Sequence, residues 1–235
     1  MAKGKVYTSF EWNWPEARKN FLKSLELNSR YTQSHIWFGH YYLTWVEGRF
    51  EEGEKHLNTA IQLEPFNAIA YTTQFAIALT AGKFKEGFEF ARQGVEMDPD
   101  SLITNRIMGL AYLHNKQYVE ATEHLEFASK ISNRSVFTQV DLIYLYTAKG
   151  SLDQANAVME DLKIKLKEGK YVSSCIMSYA VAFLGDIDEA IKWLKKAYDE
   201  RDAYLCIIKY YPFVPVKLRQ DFQFQSFLKK MNFPE

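Results

Sequence analysis

Phe84-Lys85-Glu86-Gly87-Phe88-Glu89-Phe90-Ala91-Arg92-Gln93-Gly94 returns along the chain at a step of 34 residues. Moved forward, Phe84 falls on Tyr118, Gly87 on Ala121, Ala91 on Leu125 and Gly94 on Ala128. Moved back, Phe84 falls on Phe50 and Gly87 on Gly53. Just outside the stretch, Pro99 answers to Pro65, Gly82 to Gly48 and Phe75 to Gly109. A further step carries Tyr118 to Leu152, Ala121 to Ala155 and Lys116 to Gly150. A fixed period of this size marks a stacked array, and 34 residues hold two helices with their turns.

The composition suits such an array. Of the 235 residues 47% are hydrophobic and 16% aromatic, which is ample material for a continuous core. Charges balance to a net +0, which argues against a nucleic-acid surface spread over the molecule. No run of eighteen apolar residues exists to span a membrane, and residues 1–5 lack the apolar stretch of a secretory signal. Cys175 and Cys206 have no metal-ligand spacing. They read as two free thiols in a reducing cytoplasm rather than as a disulfide.

The residues in phase also carry a family resemblance. Asn105-x2-Met108-Gly109-x2-Tyr112 followed by Ala121-x3-Leu125-x2-Ala128 resembles the tetratricopeptide repeat. His35-x2-Phe38-Gly39-x2-Tyr42 with Gly53-x3-Leu57-x2-Ala60 and Pro65 matches again, its first helix two residues longer. Small residues let two antiparallel helices approach, larger apolar residues fill the space beside them, and a proline turn stops the second helix. The resemblance implies an all-α fold, a right-handed superhelical array of about six antiparallel helix pairs (an α-solenoid) with a C-terminal capping helix.

In chain order the array covers residues 1–202, with units at 1–31, 32–67, 68–101, 102–135, 136–170 and 171–202, and a cap at 203–235. The first unit reads as partial. Ala17, Phe21 and Ser24 repeat the second-helix pattern, yet of the chain before Trp12 only Val6-Tyr7-Thr8-Ser9-Phe10 is left for the first helix. The expectation is a chain that begins inside a repeat, as a piece of something longer; the other reading is a shortened terminal cap. Trp37, Phe38, Tyr41, Tyr42 and Trp45 form an aromatic stripe that reads as core before it reads as a stacking platform. The tail holds Tyr210, Tyr211, Phe213, Phe222, Phe224 and Phe227, too apolar for water, and is expected to cover the open face of the sixth unit.

A second resemblance lies in that tail. Leu218-Arg219-Gln220-Asp221-Phe222-Gln223-Phe224-Gln225-Ser226-Phe227-Leu228 is similar to the ending of bacterial multidomain regulators, as are Trp193-Leu194-Lys195-Lys196-Ala197-Tyr198 and Trp12-Asn13-Trp14-Pro15-Glu16-Ala17. In such regulators the repeats follow a winged-helix, adenylate cyclase or serine/threonine kinase domain. The arginine-proline usual before Phe224 is replaced here by Phe222-Gln223.

No phosphate loop, GxSxG elbow or HExxH motif is present, so the sequence offers no catalytic residues, no cofactor and no metal site. The histidines are unpaired in helical spacing, and acidic residues stand beside lysines as on a solvated face. The family geometry implies instead a concave wall lined by first helices, with Ile36, His40, Thr72, Ala76, Arg106, Leu110, Val140, Tyr144, Cys175 and Tyr179. The lysines and asparagines that clamp a terminal carboxylate in chaperone-tail binders are missing, so the implied ligand is an apolar segment or an amphipathic helix. The leading reading is a non-catalytic, cytoplasmic protein-interaction module of a bacterial regulator. One alternative is self-association, with the N-terminal half-repeat and its Trp12 and Trp14 forming a homodimer. Another is a small-molecule sensor between the tail and the sixth unit, walled by Tyr204, Tyr210 and Tyr211.

Overall fold

Second helices carry the small, large, small pattern inward. In the computed structural model, which describes residues 1–234, Ala17, Phe21, Leu57, Ala60, Ala91, Ala121, Leu125, Ala128, Ala155, Ala190, Leu194 and Ala197 are all fully buried. Gly87, Ala121 and Ala155 take equivalent places in the first turn or two of their helices. The facing first helices compensate in volume. Where the second helix has Leu125, the first has Gly109, and a Cβ there would meet the Leu125 side chain at 2.6 Å. Where the second helix has Gly87, the in-phase residue is Phe75, whose ring packs on it. Volume is conserved while its source alternates between the two helices.

All described residues in regular structure are helical, and the fold class is the expected all-α solenoid type. The chain packs as two compact units. The first unit comprises Met1–Met97 with Ala203–Phe213 and Ser226–Glu235, and the second comprises Asp98–Asp202 with Val214–Gln225.

In the first unit, α1 (Ala2–Val6) runs on into a π-helical segment (Tyr7–Glu11) and pairs with α2 (Trp14–Leu27). The helix before Trp12 thus starts at Ala2, upstream of the Val6 that the sequence pattern suggested. Gly4, buried against Phe21, serves as its close-approach position. Next, α3 (Thr32–Ile36) continues π-helically through Trp37–Thr44 and pairs with α4 (Phe50–Leu63). Gly39 and Gly53 are fourteen positions apart, against twelve for Gly109 and Ala121. The wider π turns absorb the two extra residues without breaking the helix. Helices α5 (Ala68–Thr80) and α6 (Phe84–Met97) form the third pair.

In the second unit the pairs are α7 (Leu102–His114) with α8 (Tyr118–Ile131), α9 (Val136–Ala148) with α10 (Leu152–Lys167), and α11 (Ser174–Phe183) with α12 (Ile187–Asp199). Side chains of Ser101, Ser135, Ser173 and Asp186 accept from backbone N–H groups in the first turns of α7, α9, α11 and α12. Turns inside the pairs use left-handed residues at the repeat spacing, Gly48, Gly82, Lys116 and Gly150.

The tail departs from expectation. It forms a 3-10 turn (Ala203–Ile207), α13 (Val216–Gln220) and α14 (Phe222–Lys230). Helix α13 does pack on α12, in the last pair. Ala203–Phe213 and the chain from Ser226 instead join the first unit, where the 3-10 turn lies against Tyr7–Glu11. Trp14 donates its indole N–H to the Asn232 carbonyl at 2.8 Å and stacks on Phe233 with centroids 5.1 Å apart. Trp14 is therefore buried, and the exposed aromatic pair expected for self-association is reduced to a half-buried Trp12.

Candidate functional site

The ten residues implied as a binding wall divide between the units, and most are not at the surface. Ile36, His40, Thr72 and Ala76 are buried in the first unit; Leu110, Val140, Cys175 and Tyr179 are buried in the second. Arg106 and Tyr144 alone of the ten stand half-buried, where a partner could touch them. In the first unit the tail packs on aromatic neighbours of these residues. Tyr211 sits edge-on to Trp45 at 5.2 Å, and Phe213 stacks with Phe75 at 6.2 Å. The three tyrosines expected beside the sixth unit, Tyr204, Tyr210 and Tyr211, all lie in the first unit, Tyr210 and Tyr211 against Phe50 and Trp45. The aromatic stripe is mostly core: Phe38, Tyr42 and Trp45 are buried, while half-buried Trp37 has the Lys5 ammonium 3.4 Å from its ring centroid.

What remains accessible on first helices of the second unit is compact. From α7, Arg106 grips Asp141 of α9 with both ends of its fork, Nε to Oδ2 and a terminal N–H to Oδ1 at 3.1 Å. Its guanidinium also lies 5.5 Å from the centre of the Phe137 ring. Asp141 is buried while the Arg106 side chain keeps 19% of its surface. Burial pushes the Asp141 carboxyl above its ordinary range, and the guanidinium pulls it back. One turn along α9, Tyr144 stacks on Phe183 of α11, centroids 4.4 Å apart and planes within 12°. Burial also raises the Tyr144 phenol, with Tyr118 adding to the effect. The result is a row of aromatic faces, Phe137, Tyr144 and Phe183, around one neutralised guanidinium. Such a row can seat apolar or aromatic side chains, with the remaining guanidinium surface as a polar contact.

The sequence pattern had found Arg106 and Tyr144 but not Phe137, Asp141 or Phe183. A signal for Asp141 existed: it follows Arg106 by 35 residues, one repeat step plus one, which puts opposite charges on neighbouring first helices. Among the described residues, no group of three or more His, Cys, Asp or Glu side chains could hold a metal ion, and no helix is long and apolar enough to cross a membrane. Cys175 and Cys206 are not joined in a disulfide, and both are buried.

No family model matches this chain. It is similar to the TPR repeat-containing thioredoxin TDX of Arabidopsis thaliana, 32% identical over 85 residues, which is 36% of this chain and 22% of that protein. It is also similar to tetratricopeptide repeat protein 6 of Homo sapiens, 27% identical over 103 residues, 43% of this chain and 19% of that one. The chain thus spans about a fifth of the length of the curated relatives it matches. Among solved structures, TTC0263, a thermophilic TPR protein of Thermus thermophilus, superposes with a TM-score of 0.57 at 14% identity, covering 86% of this chain and 98% of that one. That likeness concerns the fold. The tetratricopeptide-repeat resemblance read from the small-residue spacing is supported by relatives named for that repeat and by a solved repeat structure of the same fold.

Proposed function

We propose that this chain is a non-catalytic interaction module that holds a peptide or helix of a partner protein against first helices α7, α9 and α11. Arrays of this type are generally protein–protein interaction modules, because stacked pairs leave one row of helix faces uncovered. The observation that carries the reading is the half-buried Tyr144–Phe183 stack beside the Arg106–Asp141 pair. Packed aromatics and arginines are the side chains most often found to dominate binding energy. The partner reads as an apolar or amphipathic segment, since Asp141 already neutralises the one cation of the row. By the resemblance of its tail, the module belongs to the C-terminal sensor or scaffold part of a bacterial cytoplasmic signalling or transcriptional regulator.

The test is selection of a displayed peptide library on the full chain, followed by titration calorimetry of one selected peptide. Tyr144→Ala and Phe183→Ala should each weaken binding by about ten- to a hundredfold. Val119→Ala, at an exposed site on α8, should leave it unchanged. Equal affinity for all three variants, or a library that yields no binder, would remove this site.

A further inference from the structure

The tail segment 210–213 has a different standing from the rest of the first unit. It forms no helix, lies between the 3-10 turn and Pro215, and contributes a dense run of rings, Tyr210-Tyr211-Pro212-Phe213. Each aromatic side chain of the run meets an aromatic side chain of the helix pairs. Tyr210 is edge-on to Phe50 at 5.6 Å, Tyr211 to Trp45 at 5.2 Å, and Phe213 stacks on Phe75 at 6.2 Å. Of these receptor residues, Trp45 caps the C-terminal end of one first helix and Phe75 lies in the next, the elements whose faces repeat arrays leave uncovered. Gly48, at φ +71°, makes room: a Cβ there would meet the Tyr210 ring at 2.6 Å. A short non-helical segment that sets three of its rings against rings of neighbouring helix pairs is seated in the manner of a bound peptide.

We propose that residues 210–213 are a resident internal ligand, and that the Trp45–Phe50–Phe75 face of the first unit is an aromatic–proline peptide site which a partner segment of the same chemistry takes by displacing the tail. The inference concerns the first unit and stands apart from the site on α7, α9 and α11. Specificity comes from the alternation of rings with proline. Proline fixes one backbone angle of the segment and so lowers the entropy lost on docking, and each ring needs its own aromatic neighbour. The 3-10 turn, through buried Leu205, Cys206 and Ile207, and buried Ile208 after it anchor the segment, so release is confined to the part that follows.

The experiment uses the full chain and a synthetic peptide of residues 208–216, Ile-Lys-Tyr-Tyr-Pro-Phe-Val-Pro-Val. In the chain, Tyr211→Ser with Phe213→Ser loosens the resident segment and leaves the receptor residues intact. The peptide should bind this double variant about tenfold or more tighter than it binds the unaltered chain, and should raise the variant's melting temperature. A control peptide with serine at the two corresponding positions should do neither. Should the double variant unfold, the unaltered peptide is expected to restore its near-ultraviolet circular dichroism. No binding and no restoration, or equal effects from the control peptide, would overturn the proposal.

Discussion

His40 sits in the π-helical part of the second helix pair with both ring nitrogens buried and without a protein partner, its ring 3.8 Å from that of Trp45. Burial alone pushes its pKa down to about 3. Nearby, His35 donates from Nε2 to the Ser29 carbonyl, since a carbonyl can only accept; its Nδ1 is then left to accept from Nδ1 of His56 at 2.9 Å. Burial, with His35 as a second cause, lowers His56 to about 4, while Glu52 opposes the shift. Both His40 and His56 are held neutral in the fold and take up protons more readily in the unfolded chain. Stability from this source is therefore fully present above pH 6.5 and falls as the pH drops from 6.5 toward the folded values. For fully buried His40 the loss between pH 7 and pH 5 is about 2 kcal/mol. Urea unfolding at the two pH values should show it, and His40→Leu should remove that share of the difference. A His40→Leu chain with the same pH dependence as the unaltered one would refute the assignment. The sequence showed His40 as a wall residue open to a ligand. Its burial was not legible, because it depends on two inserted residues turning the helix π-helical and on Trp45, whose other neighbour, Tyr211, comes from more than 160 positions away.

At the scale of elements, the turns inside the pairs follow one rule with one exception. Gly48, Gly82 and Gly150 occupy the left-handed region, and Lys116 occupies the same place at φ +59°. A residue with a Cβ pays about 1–2 kcal/mol there, partly offset by the extra freedom glycine has when unfolded. Lys116→Gly should consequently stabilise the chain by about 0.5–1 kcal/mol, read as a higher urea midpoint with an unchanged slope. A lower midpoint would mean that the lysine side chain contributes a contact worth more than the strain. Helix pairing itself was legible at this scale. Gly109 against Leu125 and Phe75 against Gly87 are neighbours within one repeat, so the spacing that brings them together is written locally. The π-helical turns were visible only as a first helix two residues too long, because length alone does not say whether an insertion is looped out or wound in.

For the whole molecule, the division of the tail has a direct consequence. The first unit is not continuous in sequence: Trp14, Trp45 and Phe75 lean on Phe233, Tyr211 and Phe213. A fragment of residues 1–97 would expose all three faces. Each lost aromatic pair is worth about 0.5–1.5 kcal/mol beyond the area it buries. The combined loss of several kcal/mol corresponds to a fall of more than about 10 °C in melting temperature for a unit of this size. Thermal denaturation of the fragment, with and without an added peptide of residues 203–235, checks this. A fragment as stable alone as in the full chain would show that the tail contacts carry no weight.

What the sequence determined by itself is the repeating pair: its period, its close-approach positions and the places where its turns need a left-handed residue. These rest on contacts between residues close in the chain, and such contacts leave a periodic record. The tertiary structure alone decided which first-helix faces stay open, since the tail that covers Trp45 and Phe75 has no period and meets residues far away in sequence. It likewise decided the grip itself: the 35-residue spacing sets Arg106 and Asp141 on neighbouring first helices, and the stacking of α7 against α9 brings the two side chains into contact.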